Sequence, residues 1–276
     1  MELKYAPDIE RYPTLSTDEL RRGFLISNLF QAGTIQTVYT DLDRAVVGGA
    51  VPTSGKLTLE TAKELASSYF AERREIGVIN IGAKGTVTVD GKEFTLARRD
   101  CLYIGRGSKQ IEFASANARE PARFYFVSYP AHATHPTRLA TVSEATAVEL
   151  GAQRDANART IRKYIHKDGI RSCQLVMGFT ELKEGSIWNT MPPHTHSRRT
   201  EVYLYFDVAS DAAVFHFMGT AQRTRHLIVR NGEAVLSPPW SIHCGAGTRN
   251  YCFVWAMGGE NQEFADMDQL GVGELK

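Results

Sequence analysis

The chain has 276 residues, of which 43% are hydrophobic and 23% are charged, a composition typical of a soluble globular protein with one or two domains. Lysine and arginine number 32 against 31 acidic residues, and this balance argues against a nucleic acid or an anionic membrane as the partner. No stretch approaches the ~18 consecutive apolar residues that a membrane span requires.

The first part of the chain is polar and contains two helical patterns. Residues 1–14 carry charges and two prolines where an export signal would be apolar. The four cysteines show no CxxC spacing, so we expect reduced thiols in a cytoplasmic protein. Ser16, followed by acidic residues, predicts an N-capped helix over 16–22. A second helix is expected over 59–69.

The remainder of the chain consists mainly of strand patterns. Asp90-Gly91, which separates two of them, is a strong hairpin signal. Many short strands separated by turn signals predict an all-β sandwich or barrel. The patterns cover residues 77–82, 86–89, 92–96, 173–181, 202–208, 212–218, 227–230 and 251–257.

Two stretches look like diverged copies of one β unit. Arg73-Arg74-Glu75 opens a strand in the first copy, and Arg198-Arg199-Thr200-Glu201 opens one in the second. Extending the shared register sets Gln110 opposite His243. The two copies therefore favour tandem barrels that arose by duplication.

A polar segment rich in Ala, Thr, Asn and Arg connects the two copies over residues 131–160. We place the domain boundary within this segment. The prediction is an N-terminal barrel over residues 1–150 and a C-terminal barrel over residues 151–276.

His194, His196, Glu201 and His243 form a metal-ligand pattern. On a strand, the imidazoles of His194 and His196 share one face. Glu201 lies five residues further on and can begin the next strand after a tight turn. Three imidazoles and a carboxylate suit Zn, Fe, Mn or Ni. A lone histidine is usually a core or surface residue, but this spacing predicts a metal site.

The same residues resemble the two motifs of the cupin family. His194-Thr195-His196, four residues and Glu201 match the first motif, and Gly232, five residues, Pro238, four residues and His243 match the second. The resemblance implies a β-barrel with the metal inside. The N-terminal unit has no HxH and is expected to be a cupin barrel that lacks metal ligands.

Four longer stretches resemble the 5-keto-4-deoxyuronate isomerase family of bacterial pectin breakdown much more specifically. The resemblance runs from about residue 20 to the C-terminus. It implies a cytoplasmic zinc enzyme with one Zn²⁺ per subunit, commonly a hexamer. It also implies a ketol-isomerase that converts 4-deoxy-L-threo-5-hexosulose uronate into 3-deoxy-D-glycero-2,5-hexodiulosonate. The stretches are residues 70–82, 188–196, 237–243 and 258–262.

Further candidate site residues follow from that chemistry. Tyr203 and Tyr205 share strand parity with Glu201, so either can face the barrel interior and donate to a substrate oxygen. Arg162 and Lys163 lie next to the metal motif and can hold the substrate carboxylate. The alternatives are core aromatic residues for the two tyrosines and a solvated basic run for the two cations.

Two other functions use the same ligand pattern. An Fe(II) cupin dioxygenase needs the same ligands and requires oxygen, which an isomerase does not. A non-catalytic sugar-binding cupin usually carries a DNA-binding helix-turn-helix when it is a regulator, and none is evident in the sequence. The ligand pattern and the resemblance together favour the isomerase.

Overall fold

The computed structural model describes residues 1–276, which fold into two compact units. Unit 1 comprises residues 1–4, 28–145 and 164–176, and unit 2 comprises residues 5–27, 146–163 and 177–276. None of the helices has both the length and the apolar surface needed to cross a membrane.

Unit 1 is built from a seven-stranded sheet and a four-stranded sheet. The strand order is β1-β3-β4-β11-β6-β9-β12 in the larger sheet and β5-β10-β7-β8 in the smaller one. The strands are β1 (Glu2–Lys4), β3 (Ile35–Thr40), β4 (Val46–Ala50), β5 (Leu57–Thr58), β6 (Arg74–Asn80), β7 (Gly85–Val89), β8 (Lys92–Leu96), β9 (Cys101–Ile104), β10 (Ile111–Ser115), β11 (Phe124–Pro130) and β12 (Arg138–Ala140).

Apolar side chains fill the interior of unit 1. Ile76 and Val78 on β6 pack with Ile111 and Phe113 on β10, and all four are at most 2% exposed. Gln110 is exposed, and its Nε2 bonds the carboxylate of a neighbouring glutamate. Gln110 immediately precedes β10, and its exposed side chain lies outside the apolar cluster of unit 1.

Unit 2 repeats this architecture. Its larger sheet has the order β13-β14-β15-β23-β18-β21-β2, its smaller sheet has the order β16-β22-β19-β20, and β17 pairs with β24. The strands are β2 (Leu25–Ile26), β13 (Thr146–Leu150), β14 (Arg159–Ile165), β15 (Val176–Leu182), β16 (Trp188–Asn189), β17 (His194–Thr195), β18 (Arg199–Phe206), β19 (Val214–Thr220), β20 (Arg223–Val229), β21 (Ala234–Ser237), β22 (Ile242–Gly247), β23 (Cys252–Gly259) and β24 (Asp268–Gln269).

The N-terminal segment 5–27 is part of unit 2, so the division of the chain differs from the predicted boundary at residue 150. Leu25 pairs with Val235 in the larger sheet. The ring of Tyr12 lies 5.2 Å from that of Trp240. These partners are more than 200 positions away in the chain, and no local pattern reveals such pairing.

The predicted N-capped helix is confirmed as α1 (Thr17–Phe24). Ser16 and Glu19 form a reciprocal capping box, which satisfies amide groups that the first helical turn leaves free. The helix expected over 59–69 is wrong, because only a 3-10 turn forms at Lys63–Leu65. Ala66 ends that turn with a left-handed backbone, and a non-glycine residue in this conformation cannot continue a right-handed helix.

Glu75 is a fully buried carboxylate in unit 1. It accepts hydrogen bonds from the Tyr103 hydroxyl at 2.8 Å and from the amides of Cys173, Gln174 and Leu175 at 2.6–2.9 Å. Each of the two Glu75 oxygens thus accepts two hydrogen bonds, and all four donors belong to unit 1.

Glu75→Ala is expected to destabilise the protein by about 3–5 kcal/mol, because it removes the acceptor of four donors, of which the Tyr103 hydroxyl and the Leu175 amide are buried. Unfolding in guanidinium chloride measures this loss. Glu93→Ala, at an exposed position of β8, is the control and should stay within about 0.5 kcal/mol of the parent. Equal stabilities for the two variants would contradict the role given to Glu75.

Candidate metal centre

Three strands of unit 2 bring four potential metal ligands together. His194 lies on β17, Glu201 on β18 and His243 on β22, while His196 lies in the turn between β17 and β18. One ligand atom from each residue lies within 4.8 Å of the others. His243 Nε2 is 2.9 Å from both His194 Nε2 and Glu201 Oε2, and His196 Nε2 is 3.1 Å from the same oxygen. The sequence pattern therefore corresponds to one cluster in space.

Backbone and hydroxyl partners orient two of the imidazoles. His196 Nδ1 donates to the Arg199 carbonyl at 2.9 Å, because a carbonyl oxygen can only accept. His243 Nδ1 lies 3.1 Å from Ser237 Oγ. With these Nδ1 atoms engaged, the Nε2 atoms point at the shared centre. Such outer hydrogen bonds are characteristic of metal-binding histidines.

Electrostatics also favour a cation at this centre. Burial, followed by the influence of His243, lowers the pKa of His194 to about 2. Burial raises the pKa of Glu201, but His243 and His196 outweigh that effect and hold it below its ordinary value. At neutral pH, His194 therefore offers a neutral nitrogen and Glu201 a charged oxygen. This donor set fits a divalent transition metal, and its chemistry suits zinc, iron, manganese and nickel alike.

A cavity of about 290 Å³ opens beside the four ligands. Its walls are mostly apolar, with a few polar side chains placed among them, as is usual for a small-molecule site. Gly178 makes room for the Trp255 wall, because a Cβ there would meet the indole at 2.4 Å. The cavity is lined by Leu150, Arg159, Ile161, Thr180, Thr190, Met191, Pro192, His194, Glu201, Tyr203, Phe253, Trp255, Met257, Phe264, Met267 and Gln269.

The two tyrosines proposed from strand parity occupy different environments. Tyr203 lines the cavity, and its hydroxyl lies 3.4 Å from Thr190 Oγ1. Burial and the Glu201 carboxylate raise the pKa of Tyr203 well above its ordinary value, so the phenol stays protonated. Tyr205 is fully buried outside the lining, and its hydroxyl pairs with His216 Nδ1 at 2.7 Å. Tyr203 can therefore contact a bound molecule, whereas Tyr205 supports the barrel interior.

The cation that reaches the cavity is Arg159, which the sequence analysis did not select. Arg159 and Ile161 on β14 line the cavity, while Arg162 lies on the other face of the strand and does not. Lys163 has the correct parity, but its ammonium lies 5.0 Å above the ring of Phe264, which forms the wall. Alternation along the strand predicts that Arg159, Ile161 and Lys163 share one face. Which face of β14 points to the cavity depends on strand pairing that the sequence does not show.

A C-terminal segment that sequence reasoning missed completes the cavity. Gln269 on β24 pairs with His194 on β17, so the segment is joined directly to a ligand strand. Arg199 is 1% exposed and donates to the backbone carbonyls of Glu263 and Asp266. Phe264, Met267 and Gln269 form the wall that this anchoring supports.

Neither of the tryptophans next to the ligands in sequence lines the cavity. Trp188 stacks on Phe217, with ring centroids 5.9 Å apart. Trp240 packs between Tyr12 and Phe24, with centroids at 5.2 and 6.3 Å. Both therefore stabilise the framework that holds the ligand strands.

The whole chain is similar to known proteins. A family model described as the KduI/IolB family matches residues 25–270. Proteins named 4-deoxy-L-threo-5-hexosulose-uronate ketol-isomerase from Shouchella clausii and Halalkalibacterium halodurans are 52% and 53% identical over 276 residues, which is 100% of both chains in each case. The protein of that name from Caldicellulosiruptor bescii is 51% identical over the same span.

Solved structures show the same fold at low sequence identity. An IolB-like protein from Salmonella typhimurium has a TM-score of 0.71 and 14% identity, with 90% of this chain and 96% of that one covered. An oxalate decarboxylase from Lactobacillus farciminis has a TM-score of 0.59 and 11% identity, with 90% of each chain covered. These similarities confirm the predicted all-β, cupin-like fold.

Proposed function

The chain belongs to the KduI/IolB family, and from that premise we propose that it is a metal-dependent ketol-isomerase acting on 4-deoxy-L-threo-5-hexosulose uronate. The product is 3-deoxy-D-glycero-2,5-hexodiulosonate, and the reaction serves the breakdown of pectin and related hexuronates. Relatives that are 51–53% identical over the full length carry this activity in their names. The observation that carries the proposal is the three-histidine, one-carboxylate cluster beside a cavity that also contains Arg159.

The reaction moves a proton between C1 and C2 of the sugar through an enediol. His194, His196, Glu201 and His243 would hold a divalent cation, which supplies Lewis-acid polarisation of the carbonyl oxygen. Besides Arg159, the cavity has three ionisable side chains, those of His194, Glu201 and Tyr203. Because the phenol of Tyr203 stays protonated, a proton acceptor supplied by the cavity wall must be His194, Glu201 or a water molecule that these groups hold.

The remaining cavity residues bind and orient the substrate. Arg159 is the only arginine or lysine in the lining, so we assign it to the substrate carboxylate, which a guanidinium can bind through two parallel hydrogen bonds. Tyr203 remains a protonated donor and is assigned to a substrate oxygen. The apolar walls, including Trp255 and Phe264, exclude water and so strengthen these polar contacts.

Zinc is the metal that we propose, with one ion per chain, in a cytoplasmic hexamer. One cluster in unit 2 supports the stoichiometry, and the neutral imidazoles with one carboxylate are ligands that zinc commonly uses. The apolar interior of unit 1 supports a first barrel without metal. Mass spectrometry of the native assembly measures the number of chains and ions together.

The test combines metal content and turnover on one purified sample. We expect about one metal per chain and conversion of the uronate in the absence of oxygen, because an isomerase needs no oxidant. Chelation should abolish conversion, and zinc should restore it. Conversion that persists after complete metal removal would contradict the Lewis-acid role, and a requirement for oxygen would favour an Fe(II) dioxygenase instead.

A further inference from the structure

Unit 1 contains a second cavity, of about 220 Å³, which is rich in arginine. Arg44, Arg73 and Arg74 all line it, and no aspartate or glutamate does. The other lining residues are Leu65, Ser67, Phe70 and Pro130. All seven residues belong to unit 1, so this cavity is separate from the metal centre of unit 2.

Arg74 is the buried member of the three arginines. It is 7% exposed, and its Nε donates to Ser128 Oγ at 3.1 Å. Its Nη2 donates to the carbonyls of Ser128 and Arg44. All of these partners are neutral oxygen atoms, and no carboxylate contacts the Arg74 guanidinium. A buried charge is normally paired with an opposite charge, and Arg74 has no such partner within the protein.

The other two arginines of the cavity, Arg44 and Arg73, are exposed to solvent. Arg44 is exposed, and no ion pair engages it. Arg73 is 60% exposed and lies 3.6 Å from Glu72 Oε2, the one carboxylate that contacts an arginine of this cavity. Three arginines therefore line the cavity and only Arg73 has a carboxylate partner, so the lining carries an excess of positive charge.

We propose that this arginine cavity binds a phosphate group, either as inorganic phosphate or as part of a small phosphorylated metabolite. Arginine forks match the oxygen geometry of phosphate. A phosphate carries close to two negative charges near neutral pH and so balances the three arginines better than a single carboxylate does. The volume equals that of roughly seven water molecules, which is enough for a phosphate with its remaining hydration. The proposal does not depend on the isomerase activity.

Calorimetric titration of the intact protein with inorganic phosphate, in a buffer without other oxyanions, tests the proposal. We expect one saturable site per chain. Arg44→Gln and Arg73→Gln should each raise the dissociation constant about tenfold, because each removes a charged donor. Arg119→Gln is the matched control, because Arg119 is an exposed arginine of the same unit outside the cavity. It lowers the net charge equally and should leave binding nearly unchanged.

Three outcomes would overturn the site. The first is the absence of saturable phosphate binding. The second is that Arg119→Gln weakens binding as much as the two cavity variants do. The third is that Arg44→Gln and Arg73→Gln leave binding unchanged, as expected if phosphate bound only at the metal centre. Acetate that binds as tightly as phosphate would overturn the preference for phosphate. Glycerol 3-phosphate that binds at least as tightly as phosphate, with the same response to the variants, would support the site and identify a phosphorylated metabolite as its source.

Discussion

His243→Ala is expected to strip the metal from the protein and abolish isomerisation while the fold is retained. His243 Nε2 contacts both His194 and Glu201 at 2.9 Å, so its removal opens the centre of the cluster. Outer hydrogen-bond partners alone change metal affinity about 10–100-fold, and the loss of a direct ligand should exceed that range. Metal per chain by mass spectrometry and turnover under anaerobic conditions measure the two effects.

Two further variants control for indirect effects. Ser237→Ala removes only the hydroxyl near His243 Nδ1, so we expect a smaller loss of metal affinity, within about 10–100-fold. Gln110→Ala changes an exposed residue of unit 1 and should leave metal content unchanged. A His243→Ala protein that kept its metal and activity would exclude the proposed centre, and a halved metal content in Gln110→Ala would place a second ion in unit 1.

Arg159→Gln is expected to raise the KM for the uronate by about 10–100-fold, because a charged hydrogen bond to a carboxylate contributes roughly 1.5–3 kcal/mol. Metal content should not change, since Arg159 is not among the ligands. The Arg159 Nη1 atom already donates to the Asn157 carbonyl at 2.8 Å, which fixes the position of the guanidinium. Steady-state kinetics with metal analysis of the same sample gives both quantities.

Arg162→Gln provides the matched control on the same strand. Arg162 lies on the other face of β14 and does not line the cavity, so its replacement should leave KM nearly unchanged. Lys163→Gln should have a small effect, because the ammonium lies over Phe264 and does not line the cavity. A larger KM change in Arg162→Gln than in Arg159→Gln would show that the carboxylate binds elsewhere.

Three of the four ligands of the candidate metal centre were accessible from sequence because their spacing is local. His194, His196 and Glu201 lie within eight residues, and alternation along extended backbone fixes which side chains share a face. The capping box of α1 was predictable for the same reason, since all its contacts lie within one helical turn. The repeated strand and turn patterns likewise predicted an all-β fold before any pairing was known.

The tertiary structure alone decided features that depend on long-range pairing. The choice of Arg159 over Arg162 follows from the face that β14 turns towards the cavity. A shift of one residue reverses every side chain on a strand, and the sequence does not encode that shift locally. The inclusion of segment 5–27 in unit 2 and the wall formed near Phe264 have the same origin. Each of these features is fixed by packing between residues far apart in the chain, whereas the hydrophobic pattern of a sequence describes only neighbouring residues.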